Sequence, residues 1–266
     1  MPSSMIRKLN ALLRTENLGK VIRFFDEIGS TNTALYELAS NGASEGTTVI
    51  ADMQTSGKGR LDRTWVSPPG QNLYISVLFR PSITAGESTL LTFLASIALY
   101  ECLKKTGIQG ASIKWPNDLQ IDRRKIAGVL TEMKPKGDMV DFVVVGIGVN
   151  INMSRASIKN EMRGFAGSVT SVMENLGREV DRAKFAADLL YELEEWYRIL
   201  GRRGQSIILN EWTRRWGGRD EKVRVSAGEN DAFEATAVGI DESGHLLVQR
   251  ENGEVTKVVA GDVTMI

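Results

Sequence analysis

The segment of residues 54–65 is basic and contains two glycines, and it lies between two apolar runs that predict strands. Glycine lets the backbone approach a ligand closely, and three cations within six positions would attract a phosphate or a carboxylate. An aromatic side chain at the end of the segment offers a flat face for stacking. These residues are Gly57, Gly59, Lys58, Arg60, Arg63 and Trp65. The segment therefore predicts an anion-binding loop, and a solvated hairpin with surface charges is the alternative interpretation.

We expect this loop to move. Ordering a dozen flexible residues costs on the order of 10 kcal/mol, at roughly 1 kcal/mol each. One charge-assisted hydrogen bond returns only about 1.5–3 kcal/mol, so several side chains would have to bind the ligand together. The sequence predicts a loop that is loose when empty and closed when occupied.

A second polar cluster, Trp115-Pro-Asn-Asp118, follows a short apolar strand. A carboxylate at this place could hold Mg²⁺ against nucleotide phosphates. Lys125 begins the next apolar strand, and because only a tight turn separates the two stretches, its side chain can face the same pocket. A surface charge at the end of a strand is the alternative interpretation of Lys125.

Two further features could belong to a binding site. Ser30 or Thr31 is a natural N-cap for a helix that ends at Asn41-Gly42. A helix N-terminus with polar side chains could also hold a small ligand, although capping alone is the favoured interpretation. Gly146 and Gly148 interrupt an apolar strand, as is typical where a ligand or another chain approaches the backbone.

The composition argues against several classes of function. Lys plus Arg and Asp plus Glu number 33 each in 266 residues, so no net charge favours nucleic acid or membrane. A single cysteine, Cys102, excludes an internal disulfide and favours a reducing compartment. A single histidine, His245, argues against a zinc site and a Ser-His-Asp triad. Because no long apolar span occurs, we expect a cytoplasmic protein without a membrane partner.

The hydrophobic pattern predicts two domains. Strands alternate with helices up to residue 217, and the longest helices are predicted over Leu90–Lys105 and Phe185–Leu200. Beyond this point, short strands separated by glycine turns predict a small antiparallel barrel of about 45 residues. The predicted domains are residues 1–217 and residues 218–266.

Taken together, these motifs resemble those of the biotin–protein ligases, in the family's order and spacing over roughly residues 21–266. The matching segments are Ser30-Thr-Asn32, Gln54–Trp65, Lys114-Trp-Pro-Asn-Asp-Leu119, Arg124–Gly128 and Gly146–Asn150. The resemblance implies an α+β fold with a mixed, mostly antiparallel sheet and helices on one face, as in class II synthetases. It also implies that the C-terminal barrel is SH3-like. Residues 1–20 leave no room for a winged helix-turn-helix, so we expect a ligase-only member without a DNA-binding domain.

The resemblance implies the activity of a biotin–[acetyl-CoA-carboxylase] ligase that uses ATP, biotin and Mg²⁺. The biotin carboxylate would join the α-phosphate of ATP, which gives biotinyl-5′-AMP and pyrophosphate. A lysine of a biotin carboxyl carrier protein would then attack the mixed anhydride. Such catalysis depends on positioning and electrostatic stabilisation, which suits a chain with one histidine.

The resemblance also implies roles for individual residues. Lys125, Arg60 and Asp118 would be catalytic, with Lys125 bridging the biotin carboxylate and the α-phosphate and Asp118 placing Mg²⁺ or the incoming lysine. The implied biotin-binding residues are Ser30, Thr31, Asn32, Gln54, Gly57, Lys58, Arg60, Lys125, Gly128, Gly146 and Gly148, of which the last three would give backbone room under the biotin. The implied ATP-binding residues are Arg60, Arg63, Trp65, Asn117, Asp118, Lys125 and Asn150, with Trp65 stacked near the adenine.

Two departures from the family pattern lie in the basic loop. Lys58 stands where the family commonly has arginine, and lysine lacks the planar fork of a guanidinium. Leu61-Asp62 stands where many members have Arg-Gly, and we expect Asp62 to point outward or to pair with a neighbouring arginine.

Two alternative functions stay open at this point. One is a lipoate–protein ligase or octanoyltransferase, because these enzymes resemble the same catalytic domain, and the other is a non-enzymatic biotin-binding regulator. An edge strand such as residues 142–151 could pair with a second copy of the chain, which predicts a homodimer.

Overall fold

A computed structural model describes residues 4–226 and 232–266. Its largest element is a seven-stranded sheet with the order β1-β2-β3-β7-β6-β5-β4. The strands are β1 (Ile22–Ile28), β2 (Thr48–Gln54), β3 (Leu73–Phe79), β4 (Ala111–Lys114), β5 (Asp118–Ile121), β6 (Arg124–Lys136) and β7 (Met139–Val149). Strands β1 and β2 run parallel, and all other neighbours are antiparallel. The predicted mixed, mostly antiparallel sheet is thereby confirmed.

Helices pack on both faces of this sheet, with most of them on one face. They are α1 (Ser4–Leu12), α2 (Thr31–Ser40), α3 (Thr89–Thr106), α4 (Arg155–Glu161), α5 (Val172–Leu176), α6 (Arg182–Arg203) and α7 (Gln205–Arg215). Because successive strand residues point to opposite faces, β2 buries Ile50 in the main core with α3 and α6, and Val49 in a smaller core with α2. The main helical layer lies on one face as predicted, and α2 covers part of the other.

The helix termini explain where the polar residues of the site lie. Ser30 is the N-cap of α2, and its hydroxyl accepts a hydrogen bond of 3.5 Å from the backbone N–H of Thr33. Asp181 caps α6 by accepting from the backbone N–H groups of Ala183 and Lys184. The Ser30 cap agrees with the sequence prediction, and both caps satisfy helix N–H groups that otherwise lack partners.

The prediction that residues 142–151 form an edge strand is wrong. Strand β7 lies inside the sheet, paired with β3 on one side and β6 on the other. Its backbone groups are therefore used within the chain, and its apolar run is that of a central, buried strand. The sheet ends at β1 and β4, and the part of β6 from Thr131 to Lys136 has a strand partner on one side only among the described residues. A homodimer stays a prediction, but β7 cannot provide the edge strand that was proposed for it.

A second, five-stranded antiparallel sheet follows in the C-terminal part. Its strands are β8 (Lys222–Ser226), β9 (Ala232–Ile240), β10 (Leu246–Gln249), β11 (Val255–Val258) and β12 (Asp262–Met265), in the order β11-β10-β9-β8-β12. This agrees with the predicted all-β C-terminal region. The domain boundary after residue 217 stays a prediction. None of the helices in the described ranges combines the length and the apolarity needed to cross a bilayer.

Candidate active site

The floor of the site is a row of paired residues that crosses five strands. Lys114 pairs with Asp118, which pairs with Gly128. Gly128 pairs with Gly148, which in turn pairs with Tyr74. Directly paired residues point to the same face of a sheet. The row therefore forms a trough, with two glycines in the middle and a lysine and a carboxylate at one end.

A cavity of about 780 Å³ opens above this floor. Every predicted site residue except Gly57 lines it. Gly57 instead lies under the loop, where a Cβ would collide with the Trp65 carbonyl and come within 2.7 Å of the Ser67 hydroxyl. The structure thus brings the separate sequence motifs together, while the role of each residue towards a ligand stays a prediction.

Gly148 of the floor and Gly146, two positions before it on β7, make room for side chains of the protein itself. A Cβ at Gly146 would collide with the amide of Asn32, and a Cβ at Gly148 would lie 2.5 Å from the indole of Trp65. The space that was predicted to lie under biotin is therefore filled by Asn32 and Trp65. These two side chains form the surface that faces the cavity above the glycines.

One end of the cavity is an uncharged polar cluster at the start of α2. The side-chain carbonyl of Gln54 accepts hydrogen bonds from the Thr31 backbone at 2.8 Å and from the Thr31 hydroxyl at 3.1 Å. The Gln54 amide donates to the Ser67 hydroxyl at 3.0 Å. The orientation of Gln54 is thus determined at both ends before any ligand enters.

Asn32 is held by three hydrogen bonds beside this cluster. Its amide nitrogen donates to the carbonyl of Leu130 at 3.1 Å and to the carboxylate of Glu132 at 2.8 Å, and its oxygen accepts from the Ser76 hydroxyl at 2.6 Å. Both amide hydrogens are therefore used within the protein. Ser76 and Glu132 were not predicted, and a lone serine inside the apolar run of β3 is the signal that could have identified Ser76.

The other end of the cavity is charged. The ammonium group of Lys125 lies 2.7 Å from the carboxylate of Asp118 and 5.1 Å from the ring centroid of Trp65. A Cβ at Gly128 would lie 3.2 Å from both the Lys125 ammonium and the Asp118 carboxylate. Glycine at this position therefore gives the ion pair its space. The ammonium is held by a carboxylate and by the face of an indole, which attracts cations.

Asn117 connects this charged end to the basic loop. Its amide nitrogen donates to the Val129 carbonyl at 2.7 Å, and its amide oxygen accepts from Arg60 at 3.4 Å. Burial lowers the pKa of Arg60 from its ordinary value, while the charges of Asp118 and Asp262 act in the opposite direction. An arginine nonetheless remains charged in a protein. Arg60 therefore places a fixed positive charge over the site.

The loop is anchored at both ends by ion pairs. The Lys58 ammonium lies 3.9 Å from Glu132 of β6, and Arg63 pairs with Asp262 of β12. Between them, Leu61 and Asp62 adopt left-handed backbone conformations with φ of 54° and 56°. Asp62 is exposed to solvent. The two non-glycine residues at the loop tip thus occupy a backbone region that glycine adopts more readily.

Two parts of the chain contribute to the cavity without having been predicted to do so. One is the segment after α4, which supplies Met162, Phe165, Ser168 and Val169, and the other is β12, which supplies Asp262 and Val263. The segment is tied to Lys125, because the Lys125 N–H donates to the Ser168 carbonyl at 2.7 Å. No local sequence signal distinguishes these residues, because their place depends on tertiary packing.

Comparison with known proteins assigns the family. A model described as the Biotin/lipoate A/B protein ligase family matches residues 24–150, and one described as the Biotin protein ligase C terminal domain matches residues 220–265. The Bifunctional ligase/repressor BirA of Bacillus subtilis is 35% identical over 254 residues, which cover 95% of this chain and 76% of that protein. The chain belongs to the biotin protein ligase family.

Other biotin protein ligases show the same similarity. The Biotin--[acetyl-CoA-carboxylase] ligase of Paracoccus denitrificans is 33% identical over 226 residues, covering 84% of this chain and 92% of that enzyme. The Biotin protein ligase from Aquifex aeolicus, solved in complex with biotin and ATP, superposes with a TM-score of 0.78 at 27% identity, covering 93% of this chain and 99% of that chain. The resemblance stated from the motifs and the fold class are thereby confirmed.

Proposed function

We propose that this biotin protein ligase activates biotin with ATP and transfers it to a lysine of a biotin carboxyl carrier protein. The observation that carries the proposal is the position of Lys125, whose ammonium lies over the glycine floor between Asp118 and the indole of Trp65. A neutral polar pocket and a cationic pocket share one cavity. This arrangement suits a ligand with an uncharged polar ring at one end and a carboxylate at the other.

Biotin would lie with its ureido ring at the start of α2. Ser30, Thr31 and Gln54 line this end of the cavity and offer hydroxyl and amide groups to the ring. The pre-formed hydrogen bonds of Gln54 would reduce the entropy cost of binding. The apolar stem of biotin would then run beside Trp65 towards Lys125, and Asn32 would act by holding the shape of the pocket.

The first step joins two anions, so its barrier is largely electrostatic. A carboxylate oxygen of biotin attacks the α-phosphorus of ATP, and the bond from that phosphorus to the bridging oxygen of the β-phosphate breaks. The leaving oxygen takes the electron pair into pyrophosphate. Lys125 and Arg60 would stabilise the charge on the α-phosphate, and fixed cations in a partly desolvated site are effective in this role.

In the second step, a neutral lysine amine of the acceptor attacks the acyl carbon of biotinyl-5′-AMP. An amide bond forms, the bond from the acyl carbon to the phosphate oxygen breaks, and AMP leaves while the amine loses a proton. Asp118 would steer the incoming amine, because its carboxylate borders the cavity beside Lys125. The basic loop over the cavity would exclude water from the anhydride.

The residues present fit a magnesium ion that arrives with the nucleotide. Asp118 is the carboxylate beside the predicted α-phosphate position, and no group of three acidic, histidine or cysteine side chains able to hold a metal occurs in the described ranges. Mg²⁺ is usually held by one or two carboxylates together with substrate phosphates. Asp118 would therefore share the ion with ATP, and the ion would neutralise phosphate charge.

Two alternatives were open from the motifs. Lipoate ligation is less favoured, because the Paracoccus denitrificans and Mycobacterium tuberculosis relatives and the Aquifex aeolicus structure are named for biotin. A binding-only regulator is less favoured, because the relatives from Paracoccus denitrificans and Mycobacterium tuberculosis are named as ligases. The acetyl-CoA carboxylase subunit as acceptor, a homodimer, the absence of DNA binding and a cytoplasmic location stay predictions.

The test is pyrophosphate release from ATP in the presence of biotin, with lipoate in a parallel reaction. We expect release with biotin and none with lipoate, followed by labelling of a carrier-protein lysine when the acceptor is added. Release with lipoate alone would assign the chain to lipoate ligation. Tight biotin binding without any release would identify a binding protein.

A further inference from the structure

The charges that line the cavity are unbalanced. Six basic side chains but only two acidic ones border it among the described residues. Most of the basic residues have a carboxylate partner inside or beside the cavity, and these pairs are Lys58–Glu132, Arg63–Asp262, Arg123–Glu221 and Lys125–Asp118. Arg60 has a hydrogen bond to Asn117. Lys114 is the remaining one, and its ammonium makes neither a hydrogen bond nor an ion pair with any side chain that the structure describes.

Lys114 is placed on the reacting face of the sheet. It is the last residue of β4 and pairs with Asp118, so its side chain shares the face of Asp118 and Gly128. It also borders a narrow apolar cleft beside Trp216 and Val223. A lysine packs its aliphatic stem on apolar surface and keeps its ammonium in polar surroundings. The apolar cleft suits the stem of Lys114, and the cavity suits its ammonium.

We propose that Lys114 binds the β- and γ-phosphates of ATP and the departing pyrophosphate. Two strand spacings, roughly 10 Å, separate its Cα from that of Gly128, above which the Lys125 ammonium lies. This leaves room for phosphate groups between the two ammonium groups. A lysine without a carboxylate partner can bind a phosphate without first losing an ion pair.

The proposed role of Lys114 concerns the negative charge that moves onto the leaving group in the first step. The inference rests on the proposed function, in which the bond between the α-phosphorus and the bridging oxygen breaks and the electron pair moves to pyrophosphate. Negative charge therefore grows on the leaving group as the bond lengthens, and a cation next to it lowers the barrier. In the second step the leaving group is AMP, which has no β- or γ-phosphate. Lys114 should then affect adenylate formation and leave acyl transfer unchanged.

The experiment compares Lys114→Gln and Lys114→Arg with the wild-type chain. Lys136→Gln is the matched control, because Lys136 is an exposed lysine at the end of another strand of the same sheet. Three quantities are measured for each protein: KM for ATP, inhibition by pyrophosphate, and transfer from supplied biotinyl-5′-AMP to a carrier protein. Binding of inorganic pyrophosphate and of AMP is measured by calorimetry, which requires no turnover.

Loss of one charge-assisted contact should weaken ATP and pyrophosphate binding by roughly 10-fold to 100-fold in Lys114→Gln. Lys114→Arg should retain most of the affinity, and Lys136→Gln should behave as wild type. AMP binding and transfer from the supplied adenylate should stay within about twofold of wild type, since a charge–phosphate contact is absent there. A purely structural role would change both half-reactions and AMP binding together.

The proposal is overturned if Lys114→Gln keeps the wild-type affinity for pyrophosphate, or if it weakens AMP and pyrophosphate binding equally. Failure of the proposed function gives a different result, because the wild-type chain would then release no pyrophosphate with biotin. In that case calorimetry still decides the inference, since Lys114-dependent binding of pyrophosphate would support the site and its absence would refute it.

Discussion

The indole nitrogen of Trp115 donates a hydrogen bond of 3.0 Å to the backbone carbonyl of Gly244. This bond joins the Trp115–Asp118 motif of the catalytic sheet to a turn between β9 and β10. Gly244 itself packs on Phe93 of α3. The C-terminal sheet therefore supports the strand end from which Asn117 and Asp118 reach the cavity.

Gly244→Ala should loosen this support. Gly244 has φ of +80°, and a Cβ would lie 2.8 Å from the Phe93 ring. A left-handed conformation alone costs a non-glycine residue roughly 1–2 kcal/mol, and the ring contact should add to this cost. We expect a lower melting temperature and a higher KM for ATP, measured by calorimetry and by pyrophosphate release.

Gly253→Ala separates the two causes. Gly253 has φ of +84° in a turn of the same sheet, with open space where its Cβ would be. It should lose stability from backbone strain alone and keep the wild-type KM for ATP. If Gly244→Ala and Gly253→Ala are indistinguishable in both measurements, the contact with Phe93 and Trp115 has no part in positioning the site.

Lys125 should be required for adenylate formation. Replacing it with methionine removes the ammonium beside the predicted α-phosphate, and loss of one such electrostatic group costs about 10²–10³-fold in rate. Because the change also leaves Asp118 without its cation, the double variant Lys125→Met/Asp118→Asn serves as control. Both variants should release pyrophosphate slowly while still binding biotin. A rate near wild type in Lys125→Met would refute the catalytic assignment.

The floor glycines should tolerate no side chain. In Gly148→Ala the new methyl group would lie 2.5 Å from the Trp65 indole, so the indole and the loop must shift. A displacement of about 1 Å at a reacting site can cost roughly 100-fold in rate. We expect a large loss of pyrophosphate release with little change in melting temperature, because the loop moves more easily than the sheet.

Gly239→Ala is the matched control for the floor glycines. Gly239 also lies within a strand, β9, and a Cβ there has no neighbour within 4 Å. This variant should keep the wild-type activity. Equal activity of Gly148→Ala and Gly239→Ala would mean that the position of Trp65 does not matter for the reaction.

Local signals explain which parts of the site could be predicted from the sequence. Ser30 caps α2 through bonds to its own turn, and the Gln54–Trp65 segment has its glycines and cations within one loop. Both features can therefore be predicted from the local sequence alone. The pairing of Gly128 with Gly148 depends instead on strand register. Register follows from the whole sheet, and no short segment encodes it.

Long-range contacts explain what was missed. Glu132 contacts Lys58 and Asn32 from a different strand, and Asp262 reaches Arg63 across 199 positions of sequence. An apolar run such as β7 indicates burial but does not state how many strands lie beside it, which is why it was wrongly predicted as an edge. The family resemblance implied roles for individual residues, whereas their neighbours in space depend on tertiary packing.

The ion pair between Arg63 and Asp262 should compete with ATP for the guanidinium. Both side chains are well exposed, at 64% and 38%, so the pair should stabilise the fold by no more than about 1 kcal/mol. In Asp262→Asn, Arg63 no longer has to leave a carboxylate to reach a phosphate, and one negative charge is removed from the cavity rim. KM for ATP should fall, by up to about fivefold for 1 kcal/mol, with the melting temperature nearly unchanged.

The double-mutant cycle with Arg63→Ala tests the cause, because Asp262→Asn should have little effect once Arg63 is absent. A rise in KM for ATP in Asp262→Asn would show instead that Asp262 holds Arg63 in its binding position.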